Sequence, residues 1–290
     1  MKGWFFKVFS LKKDIFLIFL LLPVFLFSKE LITLKGNPIQ GALMLGEISS
    51  QVERIFLNYR VIPIFENRFI IGFNRDEPSR QIITVVKNDG EIFTISFHIQ
   101  QREYKYQEIT ITDKKFKDPW NNPEISQRIQ LENERLYQVR SNMDIFSKLE
   151  SYRFIRPVTG GRISSEFGFR RIINGNPGAI HNGLDIALPA GTDVKAMSCG
   201  EVILADDFFY NGRFVLIDHG SGLSSIYLHL QDIYVCKGQK VKTGDIIGTI
   251  GSSGRSTGPH LHWEIRWRNC KIDPEKIKDI DDIFLQFSEE

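Results

Sequence analysis

The chain has 290 residues, is 42% hydrophobic and carries 37 Lys+Arg against 35 Asp+Glu. That length accommodates two domains at ~100–200 residues each and is long enough to bury a substantial core. The absence of an internal repeat argues against a solenoid, and the three widely spaced cysteines, Cys199, Cys236 and Cys270, make neither a CxxC metal knuckle nor a complete disulfide framework.

The first 28 residues place Lys2, Lys7, Lys12 and Lys13 ahead of an uncharged run from Ile15 to Phe27. A charged stretch followed by an apolar one is the order of a secretory signal. As a helix the run reaches only roughly 20 Å, short of the ~30 Å hydrocarbon core, and Pro23 interrupts it. Residues 1–28 therefore read as a signal peptide. Because Leu26 stands where a cleavage site wants a small residue, an uncleaved amino-terminal anchor is the alternative, and it is the only membrane attachment the sequence offers. Four basic residues and one acidic residue fall in this segment, which leaves 33 against 34 in the remainder. A near-neutral remainder with no Lys/Arg-rich block excludes the electrostatic footprint of a nucleic-acid binder.

From 31 to 117, short β-prone runs alternate with turn signals: VIPIF at 61–65, RFIIGF at 68–73, QIITVV at 81–86 and EIFTISFHI at 91–99, the last two joined by Asn88-Asp89-Gly90. These predict a small antiparallel β-sandwich. Catalytic residue types do not gather there, and His98, on an alternating strand, reads as packed or exposed. Between 118 and 152 the pattern changes. Asn122-Pro123 opens a predicted helix, with Ile125, Ile129, Leu136, Val139, Met143 and Phe146 near a 3.6-residue period. Charges such as Glu132, Glu134 and Arg135 fit the solvated face of a connecting helix. From 153 to 278, frequent glycines punctuate short strands and predict an all-β domain. Weak helical character returns only near Pro274–Phe284, and 279–290 is a tail.

The chemistry concentrates in this second domain. His181 precedes Asp185 by four residues, which on a straight strand separates them by ~13 Å, too far to share an ion. The chain must bend, and Asn182-Gly183 supply residues that tolerate positive φ. In GPHLH, His260 and His262 lie two apart and so share one strand face: one can bind an ion while the other stands beside it. Two imidazoles and a carboxylate suit zinc, whose catalytic sites use three protein ligands and keep a fourth place for water, lowering its pKa to ~7. His219, in IDHG, reads as structural. Tyr227, Trp263 and Trp267 read as packing before groove lining. Ser252-Ser253-Gly254 and Ser256-Thr257-Gly258 lack a GK[ST] ending and read as a loop framing a groove.

The stretches SSEFGFR (164–170), HNGLDIALPAGTDV (181–194), VLIDHGSGLSSIYLHL (215–230), VKTGDIIGTIGSSGRSTGPHLHWEI (241–265) and the following Asp273-Pro274 resemble the lysostaphin-type (LytM-like) zinc endopeptidases of bacterial cell walls. The resemblance implies a lysostaphin-like antiparallel β peptidase domain with its site in a long groove. It implies that one Zn2+ is held by His181, Asp185 and His262, with His229 and His260 as non-ligand catalytic residues. All five positions are filled, unlike members that have lost ligands and activate amidases. The segments GNPIQGALMLGE (36–47), FIIGFNRDE (69–77) and RIQLENERL (128–136) resemble the small β domain preceding the peptidase in some Gram-negative members, which implies a periplasmic setting or anchoring at the outer side of the inner membrane. The expected activity is hydrolysis of peptidoglycan stem peptides or cross-links, of D,D-endopeptidase type with carboxypeptidase action possible. The competing class is a non-catalytic wall-binding or amidase-activating regulator using the same groove. The amino-terminal domain is expected to cover that groove, with the 118–149 stretch letting it move.

Overall fold

Runs of β-branched and aromatic residues broken by glycine and proline produce strands throughout the chain, and the computed structural model is mainly β. It describes residues 31–277 apart from 118 and 150, together with the backbone of a short strand at Phe25–Phe27. The export reading of residues 1–28 otherwise lies outside the described residues, as does the 279–290 tail. Of the helical stretch expected over Pro274–Phe284, a 3-10 turn at Pro274–Lys276 is described and the part beyond 277 lies outside. No helix among the described residues is long and apolar enough to cross a membrane.

The amino-terminal region forms two four-stranded antiparallel sheets. One pairs Ile32–Lys35 with Leu43–Ile48 and the latter with Arg68–Gly72; the other centres on Val52–Leu57, Arg80–Lys87 and Ile92–His98. Inward residues of both, among them Leu45, Ile71, Ile55 and Val85, share one apolar cluster. The VIPIF run yields a shorter strand than its composition suggests, Arg60–Ile62. Pro63 has no N–H for the ladder, and Phe65 and Arg68 close a tight turn over Glu66 and Asn67, both left-handed with φ 50° and 63°.

The connecting helix spans Pro123–Ser141, with the Asn122 side chain accepting from the Glu124 and Ile125 amides. It ends before Met143 and Phe146, where the Asp144 carboxylate takes the Phe146 amide and favours a turn. Glu134 and Arg135 are exposed, as a solvated face expects, whereas Glu132 is half-buried. Arg135 pairs with Asp206 at 2.5 Å, and Glu132 accepts from the Phe209 amide, so the helix is tied to the strand Gly200–Phe208.

The carboxy-terminal half is a ten-stranded sheet in which Arg162–Ser165, Leu184–Ala187, His260–Trp267, Leu223–Ile233, Gly212–Gly220 and Gly200–Phe208 follow one another. All of these neighbours pair antiparallel. Tyr227, Trp263 and Trp267 are buried, as the packing reading expects. The two halves share a core: Gly72 lies so close to Ile272 that a Cβ there would come within 2.8 Å of its side chain, and Arg102 pairs with Asp273 at 2.8 Å. The three cysteines are free thiols, Cys270 buried and Cys236 exposed.

Candidate active site

Strand register brings the chemistry together. Asp185 on Leu184–Ala187 lies directly opposite His262 on His260–Trp267, and His262 is in turn opposite Leu228, the residue before His229. The period of two points His260 and His262 to the same side. His181 sits just outside the strand Asn176–Ile180, and its Nε2 is 3.0 Å from Asp185 Oδ1, so the chain does bend between them. The cause differs from the expectation. Neither Asn182 nor Gly183 has positive φ; Gly183 is instead pressed on the neighbouring strand, where a Cβ would meet the Trp263 carbonyl oxygen at 2.4 Å.

His181 Nε2, Asp185 Oδ1 and His262 Nδ1 form a triangle with sides of 3.0, 3.0 and 2.6 Å. All three residues are buried. Ligand bonds of ~2.0–2.2 Å in tetrahedral geometry put donors ~3.3 Å apart, so the triangle needs to open by less than about 1 Å on any side to grasp a metal ion. The site is compatible with metal binding.

Each imidazole is oriented from its far side. His181 Nδ1–H donates to the Glu166 carbonyl at 2.7 Å, leaving Nε2 as the lone-pair nitrogen. His262 Nε2–H donates to Glu264 at 3.2 Å, leaving Nδ1. His229 and His260 donate Nδ1–H to the carbonyls of Ser253 and Gly258, both at 2.8 Å, which leaves their Nε2 atoms as bases. Such outer partners fix tautomer and ring direction. His229 reaches its place through a left-handed backbone with φ 63°, uncommon for a residue other than glycine. Its ring centroid lies 4.9 Å from that of His260 and 6.1 Å from that of His262.

The charge pattern follows from burial and proximity. Burial pushes the Asp185 carboxyl up, but His262 and His181 together outweigh it and hold the group well below the usual range. His262 is raised to about 9, against burial, by Asp185 and Glu264. Burial, reinforced by the neighbouring His260 and His262, lowers His229 to about 3, and burial also lowers His181 and His260. An ionised carboxylate beside two imidazoles is a donor set for a cation, which on binding takes the place of the proton that Asp185 and Glu264 favour on His262.

Residues 179–274 match Peptidase family M23. The chain carries an M23 peptidase domain. The peptidoglycan DD-endopeptidase ShyA of Vibrio cholerae is 44% identical over 116 residues, covering 40% of this chain and 27% of that protein. The DD-carboxypeptidase/endopeptidase Mpg of Neisseria meningitidis is 37% identical over 123 residues, 42% of this chain and 28% of that one. The chain thus spans little more than a quarter of the length of these relatives. A crystal structure from Pseudomonas aeruginosa described as a peptidase M23 aligns with a TM-score of 0.63 and 26% identity over 84% of this chain and 96% of that one, so the likeness reaches well beyond residues 179–274.

The site also contains residues that the sequence reading left without a role. Arg171 donates to Asp185 Oδ2 at 2.8 Å, securing the oxygen that does not face the two imidazoles. Glu264, which orients His262, is held by Arg266 at 3.2 Å and lies 3.8 Å from Arg140 of the connecting helix. The position of Glu264, two residues beyond His262 on the same strand, was a readable signal. Ser253 and Ser256-Thr257-Gly258 frame the site as expected of a groove loop, while His98 is exposed and His219 is buried between the Cys199 carbonyl and Ser225 Oγ.

A groove of about 790 Å³ opens over Asp185, His229, His260 and His262. One wall belongs to the amino-terminal half: residues 107–113 and Phe116 line it. The strand Tyr106–Ile109 pairs parallel with Arg170–Ile173, and Gln107 Oε1 accepts from Ser165 Oγ at 2.6 Å, one contact away from His181 Nδ1. The Asn174 side chain brackets Ile111 with bonds of 2.9 and 3.2 Å to its amide and carbonyl.

Proposed function

We propose that this protein is an exported zinc-dependent peptidoglycan hydrolase that cuts stem peptides or their cross-links, of D,D-endopeptidase type. The observation that carries the reading is the convergence of His181 Nε2, Asp185 Oδ1 and His262 Nδ1, each imidazole with its other nitrogen engaged by an acceptor. These three residues would hold one Zn2+, and the full set of donors separates the chain from a purely binding or regulatory use of the groove. The names of the similar proteins ShyA and Mpg support a peptidoglycan substrate. The division into 31–117, 118–152 and 153–278 belongs to the same reading, as does export through residues 1–28 to the periplasm or to an anchor on the outer side of the inner membrane.

Zinc in such a site supplies Lewis-acid polarisation of a carbonyl and lowers the pKa of water to ~7. The chain's own part is proton handling and positioning. His229 and His260 present unprotonated Nε2 atoms beside the ligands, His260 Nε2 lying 3.9 Å from Asp185 Oδ1. Neutral imidazoles there accept the proton of the attacking water and return it to the leaving amine as the amide C–N bond breaks. Arg171 and Glu264 keep Asp185 and His262 in register so that no ligand has to reorganise.

The test joins metal analysis of the purified protein to release of soluble muropeptides from purified sacculi. The expected result is about one zinc per chain with release, and loss of both in His181→Ala. Full zinc in folded His181→Ala, or no release from zinc-loaded wild type, would overturn the assignment.

A further inference from the structure

We propose that Arg255 forms a subsite for a carboxylate of the substrate, on the leaving-amine side of the scissile bond; this deepens the hydrolase reading and rests on it. Arg255 lines the same groove as His229 and His260. Its amide donates to the Tyr210 carbonyl at 2.9 Å, and its guanidinium lies 4.6 Å from the Tyr210 ring centroid. A cation–π contact of this kind holds the side chain in place without neutralising its charge.

Among the described residues no carboxylate answers that charge. Burial lowers the Arg255 pKa, and the charged or polar groups felt by it are Tyr210 and a second cation, Arg171. Arg171 is already committed to Asp185 at 2.8 Å. Glu108 and Asp113, which the amino-terminal half brings to the groove wall, form no ion pair with Arg255. A half-buried guanidinium left unpaired beside a reaction centre is costly unless a ligand supplies the counter-charge.

A cross-link made through the side-chain amine of a diamino diacid supplies it. The carbon that bears the scissile nitrogen also bears a free carboxylate, which a planar guanidinium takes with two parallel hydrogen bonds. Amidation of that carboxylate removes the charge and turns an acceptor into a donor facing a cation, so a site built around Arg255 rejects it.

The experiment uses the zinc-loaded full chain and two cross-linked muropeptides that differ only in whether that carboxylate is free or amidated. Wild type is expected to favour the free form by about 10- to 100-fold in kcat/KM, the worth of a charge-assisted hydrogen bond. Arg255→Ala should bring the ratio near one, with bound zinc unchanged, and Arg255→Lys should keep part of it. A wild-type ratio near one overturns the subsite, and so does an Arg255→Ala enzyme that is slower on both substrates with the ratio intact. If wild type cleaves neither substrate, the hydrolase reading fails; calorimetric titration of the two uncleaved peptides then decides the subsite separately, since equal affinities for them overturn it as well.

Discussion

Replacing Gln107 by alanine is expected to accelerate the enzyme. The side chain lies on the strand Tyr106–Ile109, which crosses beside the groove, and it makes two bonds to the peptidase sheet. The 2.6 Å bond from Ser165 Oγ is a full hydrogen bond, whereas the one to the Ser164 carbonyl, at 3.4 Å, contributes little. At ~0.5–1.5 kcal/mol net for a formed bond, the substitution weakens the covered arrangement by about that amount. At 1.4 kcal/mol per decade, the uncovered fraction rises ~2- to 12-fold while that fraction remains small. The assay is the initial rate of muropeptide release from purified sacculi by zinc-saturated full chains, with zinc content and cooperative melting checked in both proteins. A folded, zinc-loaded Gln107→Ala that releases muropeptides no faster than wild type refutes the idea that this strand limits access.

The two histidines of GPHLH should separate by measurement. His262→Ala removes a proposed zinc ligand and is expected to lose bound zinc, whereas His260→Ala is expected to keep it and lose ~10²–10⁴-fold in rate; zinc retained by the first and lost by the second would reverse the assignment. A third prediction concerns His219, buried outside the groove with its pKa pushed down to about 4 by burial. Below its ordinary value of ~6.5 the unfolded chain takes up a proton that the folded chain refuses until about pH 4, so stability falls across that window by ~2–3 kcal/mol. Denaturant unfolding at pH 7 and pH 4.5 should show a smaller drop in His219→Asn than in wild type, and an equal drop would remove His219 as the cause.

The parts of the site that follow from periodicity were legible in the sequence. A two-residue spacing puts His260 and His262 on one strand face whatever the rest of the chain does, and the start of the helix at Asn122-Pro123 is equally local. The end of that helix was less so, because Asp144 competes for backbone bonds just where apolar periodicity continues through Met143 and Phe146. The bend at Asn182-Gly183 shows a requirement that was readable and a cause that was not. Separation along a strand demanded a bend, but only the neighbouring strand reveals that Gly183 is needed for its approach to the Trp263 carbonyl.

What stayed hidden depends on partners distant in the chain. The acceptors that orient the imidazoles include backbone carbonyls of Glu166, Ser253 and Gly258, and a carbonyl carries no residue-type signal. Gln107 meets Ser165 across a sequence separation of 58, and Arg140 approaches Glu264 from a helix that reads as a solvated connector. Arg140 is held there despite burial that lowers its pKa to about 10. This placement changes how the helix bears on function. A helix joined to the sheet by Arg135–Asp206 and Glu132–Phe209, and lying beside the Glu264 that orients His262, is part of the frame that sets ligand geometry. If the amino-terminal half covers the groove, uncovering is therefore expected to begin in the crossing segment at 105–113, whose main attachments are one parallel strand pair, Gln107 and the Asn174 bracket, and a Gln107→Ala rate equal to wild type would return the hinge to the 118–149 stretch.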